Sequence, residues 1–393
     1  MSRILAYVGP IRTGVVGLGR AGWNIHVRLL RDDARFRIIA ASDPEAGRRE
    51  QACQELGCET FATAEQMIER MGLDLVVVAS PSVYHRPHAL MALKAGAHVV
   101  VEKPLAGSAD EVDEMIAAAH AANRQLMPFQ SRRLSPIHQQ LQKVIQSGKL
   151  GRLLHIAYRR YNYIRRNDWQ CVLANGGGLL RNHGSHILDQ ILDLVQSPVN
   201  RVMCQLERIS SAGDAEDHVV VLMQTSSGVT VHVEISDGTA ASETGPEWMF
   251  VGEQGTLTAT DNEGTIRHMN PGEIPSRQLQ DGLAAQGRRY GTSEKLPWNE
   301  QQFSVEGKPD ICFYDQVHDT ITRGRPFIFP PEQVRTVIAV LDDCRRQNPR
   351  FSGLRPFVPQ PVSDATPGTG GSLIASPASA SSKQFRKVRV NSS

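Results

Sequence analysis

No apolar run in this chain approaches the ~20 residues that a membrane span needs. The opening stretch, Met1 to Pro10, lacks the apolar centre of a secretory signal, so export is not expected and the cytoplasm is the expected compartment. Neither sign of charge is in excess. Lys and Arg number 43 against 41 Asp and Glu, a formal net charge of +2, so no global field draws the chain to nucleic acid or an anionic membrane. Cysteine is sparse and unpatterned. Cys53, Cys58, Cys171, Cys204, Cys312 and Cys344 include no C-x-x-C pair, which points to reduced thiols rather than a disulfide framework or a zinc cluster. What remains is globular: 40% hydrophobic and 21% charged residues, over a length that calls for two domains.

The segment Thr13-Gly-Val-Val-Gly-Leu-Gly-Arg-Ala-Gly-Trp23 carries the most information. A short β-branched run enters G-x-G-x-x-G at Gly17, Gly19 and Gly22, and a helical pattern follows, with Arg20 and Ala21 inside the turn. Gly17 suits the tight turn, Gly19 lets the backbone approach a pyrophosphate, and Gly22 lets helix and strand pack closely. Phosphate charge would then face free N–H groups at the positive end of the helix dipole. The next strand, Phe36 to Ser42, ends at Asp43, which lies 21 positions after Gly22. That is the spacing of an acid that holds an adenosine ribose diol.

Strands and helices then alternate: helix Pro44–Leu56, helix Thr63–Met71 opened by Thr63 and Gln66, strand Leu73–Ala79, helix Pro87–Ala95, strand His98–Val101, helix Ser108–Ala122 capped by Ser108 and Glu111, and strand Gln125–Phe129. This is an α/β pattern, a doubly wound parallel sheet with its ligand at the carboxyl ends of the strands. Helix Pro136–Ser147 follows, and then strands dominate: Leu153–Tyr163, Val199–Ile209, His218–Thr225, Val229–Ile235 and Met249–Thr260, with turns at Ser226–Gly228 and Glu253–Gly255. One helix, Gly184–Val195, interrupts them, and Phe313–Arg323 and Pro331–Arg346 close the series. A second, α+β domain with an open, mostly antiparallel sheet is expected. The domains are placed at 11–130 and 131–360, and the Ser/Ala/Pro/Gly-rich 362–393 is expected to be a disordered tail.

Two constellations could do chemistry. Strand His98–Val101 runs into Glu102-Lys-Pro-Leu105, where Lys103 could act as acid or base if its pKa were lowered, or could be a surface lysine before a proline turn. The second is Gly176-Gly-Gly-Leu-Leu-Arg-Asn-His-Gly-Ser-His-Ile-Leu-Asp189. Its three glycines allow close approach of the backbone to another group, and Asn182, His186 and Asp189 share one helix face. His186 could be an acid–base group or a satisfied core histidine, and the rival of a metal held by His183, His186 and Asp189 lacks further ligands. Between them, Tyr158 to Trp169 interleaves arginines with aromatics. Arg165 and Arg166 could grip an anionic or sugar substrate, and Trp169 could stack on a sugar ring.

The glycine fingerprint, Ser80-Pro-Ser-Val-Tyr-His85, the Ala92-to-Leu105 run with its Glu-Lys-Pro, and the glycine-rich His186 segment resemble the Gfo/Idh/MocA oxidoreductases over Ile11 to Pro359. The resemblance implies a Rossmann domain and a C-terminal sheet domain that serves homo-oligomerisation. It implies Lys103 near the substrate hydroxyl and the nicotinamide, His186 as the acid–base residue, and Ser80, Pro81, His85 and Glu102 about the cofactor crevice. Many members carry aspartate where this chain has Asn182, which can orient a hydroxyl but cannot take a proton at neutral pH. The implied activity is NAD(P)-dependent hydride transfer at a secondary alcohol or ketone of a sugar or cyclitol, with NAD favoured by Asp43 and Arg48 and Arg49 tempering that preference. Two alternatives stay open: a silent sugar or dinucleotide sensor, and an NAD-dependent glycosidase or eliminating enzyme.

Overall fold

Six short strands carry the first part of the chain: β1 Ile11–Val16, β2 Phe36–Ser42, β3 Glu59–Phe61, β4 Leu75–Val78, β5 His98–Val101 and β6 Leu126–Pro128. All pair in parallel, in the order β3-β2-β1-β4-β5-β6. The computed structural model describes residues 9–241, 245–276, 279, 282, 295–307 and 312–352, so the tail expected over 362–393 lies outside the described residues. β4 is buried at every position because helices cover both faces, which is why it reads as an unbroken apolar run. The connections are a π-helical turn Gly22–Val27 that continues as α1 Arg28–Leu30, then α2 Ala46–Leu56, α3 Ala64–Arg70, α4 His85–Lys94 and α5 Ala109–Ala122. The Thr63 and Ser108 hydroxyls accept the Gln66 and Glu111 amides at 3.3 and 3.2 Å, so both caps form where they were expected. Strand order reverses between β1 and β4, and the crevice above their carboxyl ends is the ligand position of such sheets.

After α6 Pro136–Gln146 comes an eight-stranded sheet. Its strands are β7 Leu153–Tyr161, β8 Val199–Glu207, β9 His218–Thr225, β10 Thr230–Ser236, β11 Trp248–Gly252, β12 Gly255–Ala259, β13 Glu263–His268 and β14 Asn299–Ser304. Every pairing is antiparallel except β7 with β10. The turn expected at Glu253–Gly255 forms and divides the expected stretch Met249–Thr260 into an antiparallel hairpin of β11 and β12. β3, β13 and β14 were not expected. They are short or polar, β3 and β14 at sheet edges and β13 next to β14, with little apolar alternation to reveal them.

α7 Ser185–Val195 continues directly from a π-helical turn, Leu180–Gly184, so the helix expected from Gly184 begins a turn earlier. The closing helices are α8 Phe313–Arg323 and α9 Pro331–Gln347. Phe313, Tyr314 and Val317 of α8 share a core with Ile11, Val15 and Phe36 of the first sheet. Val337 and Leu341 of α9 join a core that includes Val99, Ile187 and Val231, so one apolar interior reaches from the first sheet to the second. No helix among the described residues is long and apolar enough to cross a membrane.

Candidate active site

The glycine loop tests its own reading. Gly17 has φ +88°, and a Cβ there would lie 2.8 Å from Ala79 O and Ser80 N. One on Gly22 would lie 1.8 Å from Gly17 O. Both positions exclude side chains because the protein's own backbone fills the space. At Gly19 the nearest atom to such a Cβ is Arg48 Nη1, 3.9 Å away, so the room left there is for something from outside. This backbone cradle fits a dinucleotide pyrophosphate. Arg20 is exposed at its lip, and Ala21 leads into the helix.

Asp43 stands after β2 as expected but is only 4% exposed. Its Oδ2 accepts Leu18 N at 2.8 Å and Arg48 at 3.4 Å, and Oδ1 accepts Glu45 N at 2.9 Å. Asp43 therefore braces the glycine loop from beneath. Arg49 bonds the Asp43 carbonyl at 2.8 Å. Ser80 and Pro81 follow β4, with the Ser80 hydroxyl 3.0 Å from His88 Nδ1. His85 stands behind the crevice wall rather than on it. It is buried, with its ring nitrogens 2.7 Å from Pro104 O and 2.9 Å from Ser80 O.

Glu102 is likewise buried and structural. Its Oε2 accepts the Lys103 amide at 3.0 Å, and His26 donates from Nε2 to its Oε1 at 3.2 Å. Tyr314 Oη lies 2.7 Å from the other nitrogen of His26, so a polar chain runs from α8 to the base of Lys103. Burial opposes ionisation of Glu102, but His26 and Lys103 outweigh it and hold the carboxyl below its usual range. From this base Lys103 reaches across the cleft. Its Nζ donates to Asn182 O at 2.9 Å and to Asn182 Oδ1 at 3.0 Å. Burial pushes the ammonium down to about 8, against the pull of Glu102 and with the help of Arg132, Arg20 and Arg166.

His186 follows Asn182 by one helical turn. Its Nδ1 is buried without a partner among the described residues. Burial first, then the charges of Lys103 and Arg132, hold the imidazole well below its ordinary pKa and keep it neutral at pH 7. Asn182 spends its amide on both sides of the cleft, since Nδ2 donates to Gln170 Oε1 at 3.2 Å. Gln170 also accepts from Arg166, which pairs with Asp168 at 2.7 Å. Arg166 thus reaches the site through Gln170. Arg165 and Trp169 are exposed on the same loop, Trp169 at 42%.

The structure redirects two sequence readings. The glycines at 176–178 do approach something closely, but it is the protein itself. A Cβ on Gly178 would lie 2.3 Å from Glu216 Oε1, and one on Gly177 would lie 2.5 Å from Gln170 O. Glu216 is buried under this segment, paired with Arg345 at 2.8 Å. The helix face shared by Asn182, His186 and Asp189 also divides. Asp189 turns away to pair with Arg133 at 2.6 Å, and His183 Nε2 meets Tyr158 Oη at 3.1 Å. Among the described residues no three His, Cys, Asp or Glu groups are placed to hold a metal.

Sequence reasoning missed Arg132. It lines a cleft of about 620 Å³ with Ser135, Gln190 and, from the second sheet, Asp261 and Glu263. Its charge helps hold down the pKa values of Lys103, His183 and His186. Nothing in the adjacent pair Arg132-Arg133 says from sequence which one lines this cleft.

Comparison with known proteins agrees with this architecture. A model described as the oxidoreductase family, NAD-binding Rossmann fold, matches residues 11–130, and one described as the GFO/IDH/MocA C-terminal domain matches 138–258. The scyllo-inositol 2-dehydrogenase (NADP(+)) of Bacillus subtilis is 30% identical over 347 residues, 85% of this chain and 93% of that protein. The 1-carboxy-3-chloro-3,4-dihydroxycyclohexa-1,5-diene dehydrogenase of Comamonas testosteroni is 30% identical over 230 residues, 58% of each chain. The chain thus spans little more than half the length of that relative. In fold, it is similar to the WlbA dehydrogenase of Bordetella pertussis, crystallised with NADH and UDP-GlcNAcA, at TM-score 0.68 and 20% identity over 86% of this chain and 96% of that one.

Proposed function

We propose, from the premise that this chain belongs to the Gfo/Idh/MocA oxidoreductase family, that it oxidises a secondary alcohol of a sugar or cyclitol with NAD. The observation that carries the reading is the bridge from Lys103 Nζ to Asn182, which brings the end of β5 and the helix of His186 to one cleft. Residues 11–130 would hold the cofactor at Gly17, Gly19, Gly22 and the Ser80–Pro81 turn, and residues from 131 onward would form the substrate wall. When bound, the cofactor supplies the hydride acceptor. Neutral His186 would take the hydroxyl proton, and cationic Lys103 would stabilise the developing alkoxide. Asn182 would aim Lys103 rather than carry a proton, since an amide cannot do so at neutral pH. The test is NADH formation at 340 nm by the purified protein across a panel of cyclitols and sugars. Turnover of none of them, with cofactor bound, defeats the reading.

Two expectations follow from the site. NAD should show a lower KM than NADP, because the Asp43 carboxylate at the end of β2 would repel a 2′-phosphate brought near it, and Arg48 is already engaged by Asp43 and by Glu45 at 3.1 Å. Tighter use of NADP would reverse the assignment. In oxidation, kcat/KM should fall above about pH 8, where Lys103 loses the proton that makes it an electrostatic catalyst. The sign is fixed by the role. A lysine acting as base would instead give activity that rises through the same pH. In Lys103→Arg the surviving activity should lack that limb.

The reading places the enzyme in the cytoplasm, consistent with its unpaired cysteines. It also makes the second sheet a homo-oligomer surface. Val219, Val221 and Met223 are buried on one face of β9, whereas Val220 and Leu222 on the other are only half-buried. Met203 on neighbouring β8 is 60% exposed.

A further inference from the structure

Between β6 and α6 the chain makes a tight turn, Ser131–Leu134, that carries two arginines with opposite fates. Arg133 turns into the interior. It bonds Asp189 at 2.6 and 2.8 Å, Asp193 at 3.0 Å and Gln333 at 2.8 Å. Arg132 turns the other way and lines a cleft of about 620 Å³ that Gln190, one turn beyond His186, also borders. Its backbone is fixed, because its carbonyl accepts Ser135 Oγ at 2.7 Å and Gln190 Nε2 at 3.5 Å. The guanidinium is half-buried, and among the described residues it makes no hydrogen bond or ion pair. Its half-buried neighbours differ: Arg160 faces Asp237 at 3.4 Å, and Arg166 faces Asp168 at 2.7 Å.

The Arg132 charge is felt at both Lys103 and His186, and a half-buried guanidinium with no partner is unfavourable unless an anion joins it, since like charges in a partly desolvated region repel. Arg132 presents five N–H donors in a planar fork whose natural partner is a carboxylate or a phosphate. The opposite wall decides between them. Asp261, Glu263 and Glu306 line the same cleft without pairing with Arg132. Carboxylates there can accept hydrogen bonds from ring hydroxyls, but they repel a phosphate dianion more than a carboxylate.

We propose that Arg132 anchors a carboxylate on the substrate, so that the cleft prefers an acidic ring polyol, a uronate or a carboxylated cyclitol, to its neutral counterpart. This rests on the reading that the cleft takes a polyol, and binding is therefore measured apart from turnover. NADH-loaded protein is titrated with glucuronate and galacturonate, with glucose and galactose, and with glucose 6-phosphate. The uronates should bind at least about tenfold tighter than the neutral hexoses, the scale of one charge-assisted hydrogen-bonded pair. Arg132→Met should collapse that ratio toward one with NADH affinity retained, and Arg132→Lys should restore part of it. Equal binding of uronates and hexoses overturns the proposal, as does an unchanged ratio in Arg132→Met or a loss of NADH binding in that variant. Tighter binding of glucose 6-phosphate overturns the assignment to carboxylate. Uronate held through Arg132 with no NADH formed from NAD by any probe would defeat the dehydrogenase reading and leave the anchor standing.

Discussion

Replacing Lys103 with methionine is expected to lower kcat for alcohol oxidation by roughly 10²–10³-fold, the scale of one lost electrostatic contact to a developing alkoxide. Cofactor affinity should persist, because the glycine cradle at Gly17, Gly19 and Gly22 is built from backbone that the substitution does not touch. Methionine keeps the length and most of the apolar stem of lysine but abandons Asn182 O and Oδ1, which Nζ bridges at 2.9 and 3.0 Å. Asn182 is only half-buried, so the stability cost should stay at about 1 kcal/mol. Initial rates at 340 nm, with NADH binding followed by fluorescence, separate the two effects. A kcat within tenfold of the parent would remove Lys103 from the chemistry. A sensor that performs no reaction would keep its ligand response in this variant.

The first sheet was legible because its strands are buried on both faces and therefore read as apolar runs, as Leu75 to Val78 does. The second sheet was legible only at its centre. β14 is exposed or half-buried along its whole length, and polar edge strands leave no period to find. In the candidate site, Lys103 was singled out because β5 ends at its Glu-Lys-Pro motif, and His186 because its glycine-rich segment runs into α7. The positions of Asp43 and Asp189 were read, but not their engagements. Whether a carboxylate faces a ligand or its own protein depends on a partner far along the chain, such as Arg133 for Asp189. The same holds for the glycines at 176–178, which make room for Glu216 and Gln170 rather than for a guest. Arg132 was hidden by its neighbour. Only the pairing of Arg133 with α7 turns Arg132 outward.

His186→Gln should cost roughly 10²–10³-fold in kcat, the usual contribution of a positioned general base. Glutamine keeps a polar, uncharged side chain of similar reach, so fold and cofactor binding should survive while the proton acceptor is lost. The parent imidazole is held neutral by burial and by the charges of Lys103 and Arg132, and its Nδ1 has no partner among the described residues. That arrangement makes a ring ready to accept a proton but a weak base, because an imidazolium would face two cations. An anion seated on Arg132 would relieve part of that repulsion and raise the basicity of His186 only when substrate is present. Acidic substrates should therefore gain in kcat as well as in KM, and their acid limb should lie at higher pH than that of a neutral sugar. In His186→Gln the acid limb should vanish for both. In His186→Ala, added imidazole should restore part of the rate if a proton acceptor is what was removed. A variant with undiminished kcat and an unmoved acid limb would make His186 a packing residue and leave the proton without a destination.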